Sequence, residues 1–233
     1  FTASGLEKPV WGALTTDVDF GPDGSLYVSD WVESWDGAGV GRIYRIYDPT
    51  MANDPLVRQT TDLLQEGFSK LPEDQVGRLL SHPDQRVRQK AQFELADRGA
   101  DETLLRVLRS DAELLPRLHA LWGLGQVARQ QPENEKLIIA FIEMLSDREP
   151  EIRGRAAELA GELGLPVRVA LEHMLSDASA RARYFAALAL GHIATGDSFE
   201  SVIRMLEENN NSDPMLRHAA VMALTKIGSG APE

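Results

Sequence analysis

The hydrophobic pattern of the chain changes character near Tyr47. Before that point apolar and polar residues alternate in short runs with a period of two, and after Pro55 apolar residues recur at helical spacing almost to the end. Asp23-Gly24, between two alternating runs, predicts a hairpin turn. The predicted strands lie in residues 17–20, 25–31 and 41–46. Three strands are too few for an independently stable sheet, so we expect this segment to pack against another part of the protein.

Five segments of the helical region share one template. An apolar residue usually precedes an arginine, alanine follows at plus three, alanine or leucine at plus seven, and glycine or alanine at plus eleven. The arginines are separated by 29, 36, 30 and 34 residues, and they are Arg88, Arg117, Arg153, Arg183 and Arg217. A degenerate sixth copy contains Arg58. Amphipathic companion helices are predicted between these segments at residues 71–81, 101–109, 133–145, 166–175 and 197–206.

Helix pairs repeated at this period predict a mainly α fold, an α-α superhelix of about five to six HEAT-type pairs with a short N-terminal antiparallel β segment. We expect residues 1–50 to form the β segment and residues 51–233 to form the solenoid. The stripe at minus one, plus three, plus seven and plus eleven from each arginine is the predicted core. Small residues at plus three would let neighbouring helices approach closely.

A row of acids and arginines, here called the ladder, admits two interpretations. It could grip an anionic ligand, or it could be structural, with each acid capping a second helix and pairing with the arginine of the same or the next repeat. We favour the structural interpretation. The ladder comprises Asp84, Arg88, Arg117, Arg153, Arg183, Asp213 and Arg217.

Positions plus one, plus two, plus five and plus nine lie away from the centre of the core stripe. In three repeats they include aromatic residues and an arginine, a composition typical of binding hot spots. Packing against a neighbouring helix layer or the β segment is an equally open alternative. The candidate protein-binding residues are Trp122, His119, Arg155, Tyr184, Phe185 and His192.

Composition excludes several function classes. The net charge of −12 and pI near 4.9 argue against general nucleic-acid binding, which needs a basic surface. The chain has no cysteine, hence no disulfide, thiolate nucleophile or Cys-x-x-Cys-His haem attachment within these residues. No secretion signal or membrane-spanning run is visible. Because no initiator Met is present, we expect the chain to begin inside a longer or processed polypeptide.

No motif predicts a catalytic, cofactor or metal site. The five histidines lack metal-site spacing, and no Gly-x-Ser-x-Gly elbow occurs. The glycine-rich residues 37–41 lack the Gly-Lys-Ser/Thr ending of a phosphate loop. Calcium binding is a minor alternative, with ordinary turn and edge positions as the favoured explanation, for Asp17, Asp19, Asp23 and Asp30.

The repeats resemble HEAT repeats of the short type also found in phycobilisome-lyase-like proteins, a likeness that covers about residues 54–228. Residues 17–31 and 41–46 resemble the closing blade of glucose/sorbosone dehydrogenase and NHL-like propellers. A blade followed by HEAT repeats is similar to large exported bacterial proteins of the planctomycete type, the membrane-bound dehydrogenase-like or haem-binding proteins. That resemblance implies a periplasmic or exported location, with the redox chemistry outside this chain because no histidine precedes His82.

The function expected from the sequence is a non-catalytic scaffold or spacer that presents a concave helical surface to a partner protein or to another domain of its own polypeptide. The alternative is a fragment of a quinone- or haem-linked sugar dehydrogenase-like oxidoreductase. A weaker third possibility is a lyase-like HEAT protein that handles a tetrapyrrole. No cofactor, nucleic-acid partner or membrane span is expected.

Overall fold

A computed structural model describes residue 5 and residues 11–31, 41–193 and 196–229. The chain divides into two compact units, Phe1–Gly67 and Phe68–Glu233. The predicted glycine-rich loop at residues 33–40 lies outside the described residues. The units divide later than residue 50, so the first helix groups with the strands; its membership of the repeat array stays a prediction.

The N-terminal unit contains a three-stranded antiparallel sheet with strand order β1-β2-β3. Its hairpin turn carries Gly24 at φ 72°, a conformation that favours glycine. Arg45 bridges the turn, where its guanidinium lies 2.8 Å from the Asp23 carboxylate and donates to the Ser25 hydroxyl. The strands are β1 (Thr15–Phe20), β2 (Leu26–Asp30) and β3 (Arg42–Ile46).

Helix α1 (Pro55–Glu66) completes the N-terminal unit. Asp54 caps it by accepting from the backbone N–H of Leu56, and proline occupies its first turn. The Thr61 hydroxyl lies 3.0 Å from the carbonyl of Pro22, which joins the helix to the hairpin turn. The helix thus contacts the hairpin turn, and Val18, Phe20 and Ile43 of the strands remain exposed.

The second unit is a HEAT-like solenoid of alternating first and second helices, as the repeat spacing predicts. The first helices are α2 (Glu73–Leu79), α4 (Asp101–Arg109), α6 (Glu135–Met144), α8 (Arg168–Met174) and α10 (Phe199–Asn209), the last preceded by a 3₁₀ turn at Gly196–Ser198. The second helices are α3 (Gln85–Asp97), α5 (Leu114–Gln130), α7 (Pro150–Glu162), α9 (Ala180–Ile193) and α11 (Pro214–Ser229).

The second helices stack side by side in the order α3, α5, α7, α9, α11. The plus-three alanine of every repeat is completely buried, and these residues are Ala91, Ala120, Ala156, Ala186 and Ala220. Glycine brings two of the contacts still closer, because a Cβ added at Gly161 would lie 2.6 Å from Cα of Ala189, and one added at Gly191 would lie 2.9 Å from Cα of Ala223. Backbone-to-backbone packing therefore fixes the spacing of α7, α9 and α11.

Glycine at plus eleven does not belong to the core in any of the three repeats that carry it, which corrects the predicted stripe: Gly228 is exposed within α11, and the other two follow helix ends. Gly99 and Gly164 lie just beyond the ends of α3 and α7, and both have φ 62°. The residue after each glycine donates to a carbonyl five residues earlier, the bond pattern of a glycine-terminated helix. At Gly99 and Gly164 glycine is favoured because the backbone reverses, not because the position is buried.

None of the helices in the described part of the chain combines the length and hydropathy of a membrane span.

We expect Gly161→Ala to lower the free energy of unfolding by about 1–3 kcal/mol, because the new methyl group would clash with the backbone of α9. Gly228→Ala is the matched control, since its added Cβ meets no atom within 4 Å. The control should be neutral or stabilising by up to about 1 kcal/mol through helix propensity. Urea unfolding of both variants measures the difference, and equal effects would contradict the close-packing interpretation.

Candidate protein-interaction surface

Equivalent positions of the five second helices form rows across the array, because the helices are stacked in register. Positions minus one and plus three of each repeat point into the core. Position plus five is two residues beyond plus three, about 200° around a helix, so it faces away from the core. The structure places Phe93, Trp122, Glu158, Leu188 and Met222 at this position, and we call them the plus-five row.

The plus-five row is mainly apolar although it is accessible to solvent. Phe93 is 44% exposed and Met222 is 41% exposed, whereas Trp122 and Leu188 are half-buried. Glu158 is the one charged member of the row, and its carboxylate accepts a 2.7 Å hydrogen bond from Arg155. Singly scattered exposed hydrophobic residues are normal on protein surfaces, whereas four large apolar side chains at one repeat position suggest a common role.

Trp122 rests on a buried polar cluster. The ring of His119 meets the Trp122 ring edge to face with centroids 5.3 Å apart, and His119 is only 6% exposed. Its Nδ1 lies 2.8 Å from Oε1 of Gln92 on the neighbouring helix α3. Burial, with a smaller effect of the Arg88 charge, lowers the pKa of His119 to about 4. The imidazole is therefore neutral at pH 7 and holds the indole in place.

Phe185 lies at the centre of a second cluster, between α7 and α9. The guanidinium of Arg155 lies 4.7 Å from the ring centroid and that of Arg181 lies 5.3 Å from it, both within cation–π range. Glu151 accepts hydrogen bonds from both arginines. Tyr184 meets the Phe185 ring edge to face at 5.2 Å. These contacts hold the arginines in fixed positions on the surface.

The structure thus brings together most of the sequence-predicted candidates but gives them different positions. His119 and Phe185 (8% exposed) are buried between helices, so for these two residues the packing alternative holds and the surface assignment is corrected. Trp122, Tyr184 and Arg155 are half-buried, and Arg155 is already paired with Glu151 and Glu158. His192 is exposed, and its Nδ1 lies 3.5 Å from Nζ of Lys226.

Sequence reasoning missed Phe93 and Met222. Both stand at plus five from a ladder arginine, so extending the template from three repeats to all five would have found them. It also missed Arg181 and Gln92, for which the template gives no signal because their roles depend on contacts with a neighbouring helix.

The ladder arginines bind the loop between the first and second helix of their own repeat. In three repeats the Nη1 group donates to backbone carbonyls five and six residues earlier: Arg88 to His82 and Pro83, Arg153 to Asp147 and Arg148, and Arg183 to Asp177 and Ala178. Arg117 differs, since its Nε donates to the carbonyl of Leu108. Arg217 contacts the side-chain oxygen of Asn211.

Two ladder arginines also bind an aspartate of the following repeat. Arg117 donates to both oxygens of Asp147, and Arg153 donates to both oxygens of Asp177, at 2.7 and 2.8 Å. Both aspartates therefore pair with the arginine of the preceding repeat. The sequence-based prediction, that each acid pairs with the arginine of the same or the next repeat, is wrong for these two. The direction follows from stacking, which places the loop of one repeat over the second helix of the repeat before it.

The aspartates also accept hydrogen bonds from the backbone that follows them. Asp84 and Asp213 each accept a 2.8 Å bond from a backbone N–H in the first turn of a second helix, whereas Asp177 accepts one of 2.8 Å from Ser179, just before α9 begins. The hydrogen bond from Arg153 lowers the pKa of Asp177 and the same bond raises the pKa of Arg153, so both groups are charged at neutral pH. Asp84 additionally pairs with Arg86 of its own repeat, at 2.7 Å.

Within the described ranges, no three or more His, Asp or Glu side chains are grouped to hold a metal ion. The aspartates considered for calcium have local partners. Asp17 and Asp19 each accept from the next backbone N–H, Asp23 binds Arg45, and Asp30 accepts from Leu14 and Tyr44. The glycine-rich residues 37–40 lie outside the described part.

Comparison with known proteins identifies the fold. Residues 167–233 match the family described as HEAT repeats. The complex of CpcE and CpcF of phycocyanin lyase from Nostoc sp. PCC7120 is similar in structure, with a TM-score of 0.51 and 20% identity over 69% of this chain. This chain spans 66% of the length of that one. An engineered protein matches with a TM-score of 0.50 and 17% identity over 77% of this chain and 94% of its own.

No curated protein sequence matches the chain. The structural matches, at 20% identity or less, concern the fold alone. Together with the stacked helix pairs, they confirm the predicted HEAT-type solenoid.

We expect Asp177→Asn to lower the free energy of unfolding by about 3–5 kcal/mol, because it leaves the largely buried Arg153 without its countercharge. Lys136→Gln, in a pair whose side chains are 66% and 70% exposed, should leave the stability almost unchanged, because solvent screens the pair. Chemical denaturation of both variants at pH 7 tests the difference. A loss at Asp177 as small as that at Lys136 would show that the pair contributes little.

His119 should make the solenoid less stable as the pH falls from about 6.5 to about 4. In this window the unfolded chain binds a proton at His119 that the folded chain does not, so the free energy of unfolding decreases by at most about 1.4 kcal/mol per pH unit. Urea unfolding between pH 7 and 4.5 should show a shallower decrease for His119→Gln than for the parent. The matched control is His218→Gln, at an exposed position, and parallel curves for parent and His119→Gln would contradict the prediction.

Proposed function

We propose that the chain is a non-catalytic protein-interaction scaffold whose second helices present the plus-five row to a partner protein or to another domain of the same polypeptide. The observation that carries the proposal is the row itself, with large apolar side chains accessible at four of five equivalent positions. Accessible large apolar side chains that recur at one repeat position, interrupted only by Glu158, favour a binding role over chance exposure.

The packing of the second helices supports this face as the concave one. Glycine and alanine bring α7, α9 and α11 to backbone contact, and in a curved solenoid the more closely spaced layer lies on the inside. A concave row of apolar anchors suits a convex partner such as a helix or another domain.

The cluster around Phe185 would add specificity to binding at the plus-five row. Arg155 and Arg181 are held against Phe185, so little side-chain entropy is lost when a partner contacts them. Aromatic residues and arginine dominate binding hot spots. The acidic net charge makes a protein partner more favourable than a nucleic acid.

The lyase and dehydrogenase alternatives have less support. The structural neighbour from Nostoc is a complex of lyase chains, but its 20% identity concerns the fold. The dehydrogenase-like alternative depends on the resemblance of residues 17–46 to a propeller blade, and the family match lies wholly outside that segment. An exported location depends on the same resemblance.

An affinity capture from native extract tests the scaffold proposal. The baits are the parent chain, a Trp122→Ala/Leu188→Ala variant, and an Ile139→Ala/Ile142→Ala control that removes comparable exposed apolar surface from the first helix α6. We expect a protein retained by the parent and the control to be lost, at least tenfold, from the plus-five variant.

Equal capture by all three baits would refute the plus-five row as a docking surface. Loss from the α6 control alone would place the docking surface on the first helices instead. Visible absorbance of the captured material separates the alternatives, because a tetrapyrrole on the chain itself would favour the lyase-like role, and haem in a captured partner would favour the redox assembly.

A further inference from the structure

We call a ladder arginine and the aspartate of the next repeat that it binds a rung. In the rung of Arg153, both edges of the guanidinium make hydrogen bonds. The Nη1 group of Arg153 binds backbone carbonyls of its own repeat, while Nε and Nη2 donate to the two carboxylate oxygens of Asp177 in the next repeat. A carboxylate matches that edge of the planar guanidinium, which is why such two-pronged pairs are strong and directional.

The rung at Arg183 is incomplete. Its Nη1 donates to the carbonyls of Asp177 and Ala178, as in the preceding repeat. Within the described part of the chain, its Nε and Nη2 have no hydrogen-bond partner. The equivalent acid is Asp213, 30 residues further on, as Asp147 is 30 residues after Arg117. Among the described residues, the carboxylate of Asp213 accepts only from the backbone N–H groups of Met215 and Leu216, and it forms no ion pair with Arg183.

The loop that carries Asp213 has its own structure. Asn210 and Asn211 adopt positive φ angles of 41° and 61°. The side chain of Asn209, only 7% exposed, accepts from the backbone N–H of Asp213 and donates to its carbonyl. These bonds fix Asp213 within the loop, so the acid is not available to complete the rung.

Arg183 lines a cavity of about 260 Å³. Ser176 and Ser212 provide hydroxyl groups on its wall, and Asn209 and Met205 also line it. Glu208 stands on the same wall with an exposed side chain. The cavity is thus polar, contains one arginine with free donors, and is large enough for a carboxylate group and its attached carbon atoms.

We infer that this cavity binds a carboxylate that takes the place of the missing ladder acid, with its two oxygens on Nε and Nη2 of Arg183. The negative charge of Glu208 disfavours ligands with two charges on one group, so a monovalent carboxylate binds better than sulfate or phosphate. The site lies at the loops before α9 and α11 rather than on the plus-five row, and it is independent of the proposed scaffold function. The carboxylate belongs to a free small acid or to an Asp or Glu side chain of a polypeptide.

NMR of the arginine Nε–Hε groups in the full chain tests the inference. The probes are sodium acetate and N-acetyl-aspartate amide, each compared with sodium sulfate and sodium chloride at matched ionic strength. We expect a saturable shift of the Arg183 resonance with both carboxylates, with a dissociation constant on the order of millimolar for one such group. Binding of the blocked aspartate at least fivefold tighter than acetate indicates a polypeptide carboxylate, and equal binding indicates a small free acid.

Three variants make the test specific. Arg183→Gln should abolish the saturable effect of acetate on neighbouring backbone amides, and Glu208→Gln should tighten acetate several-fold by removing repulsion. Arg78→Gln, an exposed arginine on α2, should bind acetate as the parent does. Circular dichroism shows that each variant is folded. Equal shifts with chloride, sulfate and acetate, or acetate binding that persists in Arg183→Gln, would overturn the inference.

Discussion

The second helices of this protein pack at the distance that their smallest residues allow, and the other features of the helical unit depend on that spacing. Ala156, Ala186 and Ala220 are completely buried at one repeat position, and Gly161 meets the backbone of the next helix. Packing this close tolerates little sliding, because interiors are as dense as organic crystals. Register is therefore fixed from repeat to repeat, and rows of equivalent side chains become continuous features of the surface.

The ladder depends on that register and also reinforces it. An arginine that binds its own loop and the aspartate of the next repeat, as Arg153 does with Asp177, joins two repeats at a largely buried point. Desolvating both charges offsets much of their attraction, so such a pair is better regarded as a device for alignment than as a large source of stability. Arg183 makes no such pair with an aspartate of the next repeat within the described part of the chain, and it lines a cavity instead.

Prediction from the sequence worked where a property depends on local periodicity. The helix pairs, the buried alanines and the three strands followed from spacing alone, within a few residues at the helix ends. The candidate surface was predicted only in part. Trp122 and Tyr184 are accessible, but His119 and Phe185 are buried by contacts from other helices. Whether a flanking position is buried depends on the size of the side chain opposite, which the repeat template does not specify.

The sequence by itself determined that this chain forms stacked helix pairs, because a period near thirty residues with small residues at fixed positions permits little else. It also determined the rows to which each ladder and plus-five residue belongs. Only the tertiary structure decided the partners: that Asp147 and Asp177 bind the arginine before them, that His119 is neutral, and that Nε and Nη2 of Arg183 have no hydrogen-bond partner among the described residues. The reason is physical, since pairing and pKa depend on distances and burial across helices, and these exist only once the repeats have stacked.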